Sequence, residues 1–313
     1  MQKGYNLKHL IRLIRFCALF AVLLTGRQMA VAADAPKKIL FFSKSGTFEH
    51  PMIAEKNGQP SQAQVILTKL GKKHNFEFTF TKNGSLFTPE NIAKYDAFFF
   101  YTQGDLCARG LDGQPAMTPE GKAAFLEAIY NGKGFIGTHS ASDTSHSGGL
   151  NDIGPGRWKS DEGNLDPYIK MIGGEFIVHG SQQTAHQIVV DKNFPGMSGV
   201  PDDFGPKEEW YSLKNFLPDL HVLLVQDTST MDRAGDNQKA YDRPNYPSTW
   251  AHLYGKGRVF YTNMGHRDDI WTNPVFQEVL IGGLNWSVGN VEADITPNLE
   301  KAAPQANTLP PAP

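Results

Sequence analysis

The chain has 313 residues, 40% of them hydrophobic, with 30 Lys and Arg against 32 Asp and Glu and two cysteines. Removing an N-terminal leader over residues 1–32 takes away Lys3, Lys8, Arg12, Arg15 and Arg27 and no acid. That leaves 25 basic and 32 acidic groups, about −7, which disfavours nucleic acid or another polyanion as partner. One cysteine, Cys107, then remains, so the chain has no intrachain disulfide and must hold by packing.

Lys3, Lys8, Arg12 and Arg15 precede an apolar run, Phe16 to Leu24, followed by Ala30-Val31-Ala32-Ala33. This is the pattern of a cleavable signal peptide, placed over residues 1–32, and it predicts a periplasmic or secreted protein. The run is far shorter than the roughly 20 residues a membrane helix needs, and no other stretch is long enough.

"KKILFFSKS" (37–45) predicts a first strand, and "SQAQVILTKLGKKH" (61–74), with Val65, Ile66, Leu67 and Leu70 at helical spacing, a first helix. "FEFTFTKN" (76–83) is a strand, "TPENIAKY" (88–95) a short helix, and "DAFFFYTQG" (96–104) a wholly apolar strand. Thr118 caps and Pro119 opens the next helix, which Gly132 ends before a strand at 134–139. Strands without polar alternation, separated by amphipathic helices, predict a parallel α/β sheet covered on both faces. Residues 147–185, rich in Gly, Pro, Asp and Ser around a helix at 166–173, are expected to form a long functional loop. Strands follow at 186–192 and 221–227, then a hairpin over 248–266 turning at Gly255-Lys256-Gly257, then a closing helix in "NPVFQEVLIGGLNWSVG". The Pro- and Ala-rich tail, 292–313, is expected to be disordered, leaving one domain over 33–291. No P-loop or dinucleotide fingerprint follows the first strand.

In an open parallel sheet, ligands gather beyond the carboxyl ends of the strands. His50, His139 and His266 all fall at such ends, and "GTHSASDTSH" adds Asp143 and His146 to a strand that is otherwise core. Polar groups there are costly unless paired or used. His179 and His186 flank a polar loop that can bring both imidazoles to one point, although their spacing matches no metal motif. Glu208-Glu209-Trp210-Tyr211 sets carboxylates beside aromatics, which suits either a sugar or a packed turn. Trp250 and His252 point the same way from one strand, toward core or site together. A nucleophile elbow would fall in "GTHSA", but His139 holds it, and Cys107 lies in another loop.

"KGFIGTHSASDT", "GGEFIVH", "EEWYSL", "STWAHLYGKGRVFYTNMGH" and "FQEVLIGGLNWSVG", in this order over about residues 37–290, resemble the ThuA-like domain, named for a trehalose-utilisation protein. The resemblance implies a flavodoxin-like α/β fold related to class I glutamine amidotransferases but without their catalytic cysteine. It makes His139 and Asp143 the elbow pair, His179 the loop histidine, Glu209 with Trp210 the acidic-aromatic element, and His266 and His50 the strand-end histidines. The stretch His146 to Asp161 departs from the family pattern.

The resulting expectation is an enzyme acting on a disaccharide, glycoside or keto-sugar as a hydrolase, lyase or isomerase. His139, Asp143, Glu209 and His266 carry the chemistry. His50, Trp210, Tyr211, Trp250, His252, His179 and His186 bind substrate, with Trp210 and Trp250 as the stacking wall. Convergence of His50, His139, His179 and His266 makes a divalent metal such as zinc plausible as an electrophile. The alternative is a noncatalytic carbohydrate-binding module that kept the cleft.

Overall fold

A computed structural model describes residues 35–148, 155–161, 163–235 and 237–312, together with Met1. The chain divides into two units, Met1–Ala35 and Pro36–Pro313. The expected signal peptide belongs to the first and, Met1 apart, lies outside the described residues. The second unit carries the sheet, its helices and the cluster of site residues.

The second unit opens with β1 (Lys37–Phe42), α1 (Gln62–His74), β2 (Phe76–Thr81), α2 (Pro89–Ile92), β3 (Ala97–Phe100), α3 (Pro119–Tyr130) and β4 (Gly134–Thr138). Ser61 and Gln64 form a capping box on α1, and the Thr118 hydroxyl accepts from the Gly121 amide at 2.9 Å to start α3. Next come α4 (Pro167–Ile172), β5 (Glu175–His179), β6 (Gln183–Thr184), β7 (Gln187–Val189), β8 (Lys207–Glu208), β9 (Tyr211–Lys214) and β10 (His221–Gln226). The hairpin strands β11 (Tyr246–Tyr254) and β12 (Gly257–Thr262) precede α5 (Asp268–Thr272), α6 (Pro274–Ser287) and α7 (Leu299–Ala302).

Eight strands form one sheet in the order β2-β1-β3-β4-β12-β11-β10-β7. The first five are parallel and the rest antiparallel. Apolar residues on successive positions serve both faces, as the unbroken "AFFFY" run requires. Phe99 and Tyr101 join Ile39 and Phe41 under α1 and α6, while Phe98 and Phe100 join Leu40 and Phe42 under α3 and α4. Among the described residues, no helix is long and apolar enough to cross a membrane.

Two differences from the sequence expectation matter. Part of the supposed loop 147–185 is strand, since β5 pairs antiparallel with β9 beside the main sheet. The tail, in turn, packs against the domain where disorder was expected. It buries Leu299, Ala303 and Ala306, and the side chains of Asn298 and Asn307 each bond both the N–H and the C=O of one residue, Val222 and Phe216. The buried Arg243 guanidinium donates to the Ala306 carbonyl and lies 4.5 Å from the Tyr246 ring centre. Small side chains and amide hooks, rather than apolar mass, hold the tail. A chain ending at Ile295 should therefore lose roughly 3 kcal/mol of stability, from one buried leucine and several hydrogen bonds. Urea unfolding of the two chains checks this, and equal midpoints would show that the tail contributes nothing.

Candidate functional site

The parallel strands β4 and β12 are neighbours with Thr138 opposite Thr262, so the residues that follow them, His139 and His266, leave the sheet side by side. His139 sits at φ 44°, the left-handed region, where a non-glycine residue is uncommon. It is the sharp turn expected after β4, and an imidazole holds it. Gly265, at φ 130°, sets up His266; a Cβ there would meet the Thr138 hydroxyl at 2.6 Å, so glycine is required. His50 precedes a 3-10 turn (Pro51–Ile53) in the loop after β1, and Glu209 lies between β8 and β9.

These four side chains converge, each offering one ligand atom within 4.8 Å of the others. Glu209 Oε2 lies 3.4 Å from His139 Nε2 and 3.0 Å from His266 Nδ1, and the two nitrogens are 3.2 Å apart. Ligands of a tetrahedral zinc ion, about 2.0–2.1 Å from it, stand roughly 3.4 Å apart, so three donors already have that spacing. His139 Nδ1 donates to the Asn263 carbonyl at 3.2 Å, which leaves Nε2 for a ligand. His50 is buried with Nδ1 unpartnered, and burial together with His139 and His266 keeps its pKa well below the ordinary value, hence neutral. Burial opposes the charge on Glu209, but hydrogen bonds from His139 and His266 outweigh it and hold the carboxyl well below the usual range.

Glu208 faces the other way. Its Oε2 accepts from the amides of Gly265 (2.7 Å) and His266 (3.1 Å), and its Oε1 accepts from that of Glu209 (2.9 Å). One buried carboxylate thus fixes the backbone of two site residues, while burial raises its own pKa. The Glu208-Glu209 pair was legible in the sequence; that the two take opposite sides follows from extended backbone, where successive side chains alternate.

Other expected residues fall elsewhere. His179 is not in the metal-competent set, and Glu209 takes that place. Its Nδ1 bonds the Gly180 carbonyl at 3.0 Å and lies 3.5 Å from Glu209 Oε1, leaving the ring half-exposed at the rim. Tyr211 is buried behind the histidines, its ring 4.2 Å from that of His139, with its hydroxyl 3.4 Å from His50 Nε2. Trp210 and Trp250 are 0% exposed, and their indoles donate to the carbonyls of Gln183 and Ile172, so neither offers a face to a sugar. The stacking wall is therefore corrected to core. His252 follows Trp250 inward to the Met171 carbonyl, and His186 lies away from the cluster beside Asp227. Cys107 is half-buried in the loop after β3 with its thiol pushed up by burial, which suits no nucleophile.

Asp143 pairs with His146 rather than His139. Its Oδ1 lies 2.6 Å from His146 Nε2 and 3.4 Å from Arg157, and Gln103 donates to its Oδ2 at 3.0 Å. His146 Nδ1 reaches the fully buried Glu175 at 3.0 Å, and Lys214 approaches the same carboxylate at 4.0 Å. Burial would lower the His146 pKa, but the two carboxylates outweigh it and raise it. Glu175 and Lys214 were missed in the sequence, because β5 and β9 showed no alternation that sets them face to face.

The profile of the ThuA family, described as trehalose utilisation, matches residues 38–287. A solved structure from Bacteroides uniformis ATCC 8492 described as thua-like is 21% identical, with TM-score 0.57, over 83% of this chain and 94% of that one. Another thua-like protein, from Parabacteroides merdae ATCC 43184, is 20% identical, with TM-score 0.52, over 88% and 97%. At such identity the likeness is one of fold. No curated protein sequence matches the chain. With a mostly parallel α/β sheet, a histidine at the elbow and a family match across nearly the whole second unit, the chain belongs to the ThuA family.

Proposed function

We propose that this is an exported enzyme of carbohydrate metabolism acting on a disaccharide, glycoside or keto-sugar. One divalent ion, zinc best fitting three nitrogens and one oxygen, is held by His50, His139, Glu209 and His266. The observation that carries this is the spacing of His139, Glu209 and His266, already that of a coordination edge, around a buried imidazole with an unpartnered nitrogen.

When bound, such an ion polarises a sugar carbonyl or hydroxyl oxygen. The protein supplies the rest. Asn263 and Glu208 hold His139 and the His266 backbone in place, so their positions are set before substrate arrives. His179, outside the ligand set but 3.5 Å from Glu209, is the rim group that moves a proton to or from the substrate. The trehalose-utilisation description of the family supports the sugar class.

The test is metal content by plasma mass spectrometry on the chain from residue 33, together with product detection by NMR on glucose disaccharides and their 3-keto forms. Near one metal per chain, lost in His266→Ala, with turnover abolished by chelation, is the expected result. Sugar binding with no turnover by the metal-loaded protein would leave a carbohydrate-binding module instead.

A further inference from the structure

Between the loops that follow β1 and β3 lies a cleft of about 510 Å³, within the range of roughly 300–1,000 Å³ that holds small ligands. Gly46 and Thr47, a few residues before His50, form part of its wall, but none of His50, His139, Glu209 and His266 lines it. It is a separate concavity at the same carboxyl end of the sheet, where ligands gather.

One cation in the wall has no partner. Lys122 Nζ lies 2.8 Å from Asp166, Arg157 lies 3.4 Å from Asp143, and His146 stands between Asp143 (2.6 Å) and the buried Glu175 (3.0 Å). Arg109, by contrast, is exposed at the cleft, and its guanidinium forms no ion pair or hydrogen bond with any described residue. Asp105, in the same wall, is engaged by its own loop, Oδ1 accepting from the Cys107 amide at 2.7 Å. Burial pushes the Cys107 thiol up, so it stays uncharged and adds no competing anion.

The backbone that presents Arg109 is fixed. Lys44 and Asp112, their side chains 1% exposed, form an ion pair at 3.5 Å. Asp112 Oδ2 also accepts from the Ser45 amide at 3.3 Å, and the Ser45 carbonyl accepts from the Leu111 amide at 2.9 Å. A Cβ on Gly110, the residue after Arg109, would collide with that same carbonyl oxygen, so glycine lets the two loops touch. A buried ion pair is costly to desolvate; this one staples the loop of Arg109 to the segment after β1. A guanidinium is a planar fork matched to a carboxylate, and on a pinned loop only its own side chain has to be ordered when a ligand arrives.

We infer that this cleft is a second ligand site, separate from the histidine cluster, in which Arg109 binds the carboxylate of a small organic monoacid. One uncompensated guanidinium is neutralised by one negative charge, whereas a phosphate dianion would add a further charge beside Asp105 and Asp166. The inference does not depend on the sugar reading.

Titration calorimetry of the chelator-treated chain from residue 33, at low ionic strength, tests this with glycolate, lactate and butyrate, each beside its uncharged amide, and with inorganic phosphate as the more highly charged control. At least one carboxylate should bind about tenfold or more tighter than its amide, as a charge-assisted bidentate pair allows, and should weaken as sodium chloride is added. Phosphate should bind no tighter than that acid. Arg109→Gln, a change at an exposed side chain, should erase the preference for acid over amide, Arg109→Lys should keep part of it, and His266→Ala should leave it intact. Acid and amide binding alike, phosphate binding tightest, a preference that survives Arg109→Gln, or no saturable binding of any probe each overturns the inference. A preference lost in His266→Ala but kept in Arg109→Gln would place the acid at the histidine cluster and overturn the separate site. The sugar reading stands or falls apart from all of these results.

Discussion

Glu175→Gln should unfold at a lower urea concentration than the parent chain, with a loss of about 1–3 kcal/mol, the range for weakening buried hydrogen bonds to charged groups that keep another partner. Glu175 has no exposure, and its two oxygens accept from His146 Nδ1, the Ser147 amide and hydroxyl, and Asn215. The amide removes the second carboxylate near the buried Lys214, which keeps Asp161 at 2.5 Å, and deprives His146 of one of its two carboxylates. The pH dependence gives a second readout. Burial opposes ionisation of Glu175, but His146 and Lys214 overcome it and set the carboxyl at about 2. A folded pKa below the unfolded value contributes stability above about 4.5 that fades as pH falls toward 2. His146 has the opposite sign: its raised pKa contributes below about 6.5 and is lost as pH rises through the folded value. The variant should thus flatten the acid side of the stability curve between about 4.5 and 2. A curve that keeps its acid slope would mean that Glu175 is not the group titrating there.

Free zinc at about a thousand times its dissociation constant should stabilise the parent chain by about 4 kcal/mol, an upward shift in Tm on the order of 10 °C. The four candidate donors come from four separate loops, so an ion held there would bind only the folded chain and its binding energy would appear as stability. Glu209→Ala removes the oxygen that lies within 3.4 Å of both His139 and His266, and should abolish most of the shift. His179→Ala should keep it, since His179 stands outside the donor set. That contrast separates the donor group brought together here from the one expected, which had His179 in place of Glu209. Equal shifts in Glu209→Ala and the parent would remove the metal centre from the site.

How much of this was legible depended on whether a residue's position is set locally. His139 and His266 could be read because apolar strands run directly into them, and a strand end in a parallel sheet is a place where ligands meet. The relation of Trp250 to His252 was also readable, as same-facing residues two apart, but not which side was core; the Ile172 and Met171 carbonyls of α4 decide that. Glu209 against His179 could not be resolved, because both stand on segments whose approach depends on the β5–β9 pairing and its register shift. The tail failed for a different reason. Pro and Ala carry little apolar signal, and amide side chains bonding backbone, as Asn298 and Asn307 do, have no periodicity to detect.

The place of β12 between β4 and β11 has a temporal consequence. His50 and His139 belong to the first half of the chain and His266 to the last fifth, yet Thr138 and Thr262, opposite each other in the sheet, are separated by more than a hundred residues. Long-range parallel pairing closes slowly, because the chain between must be ordered before the contact is rewarded. Until β12 docks, His266 is not held beside His139, and the group of His50, His139, Glu209 and His266 is incomplete. On the proposed reading, an ion that needs all four donors is captured only after β12 has docked, as the last event of folding.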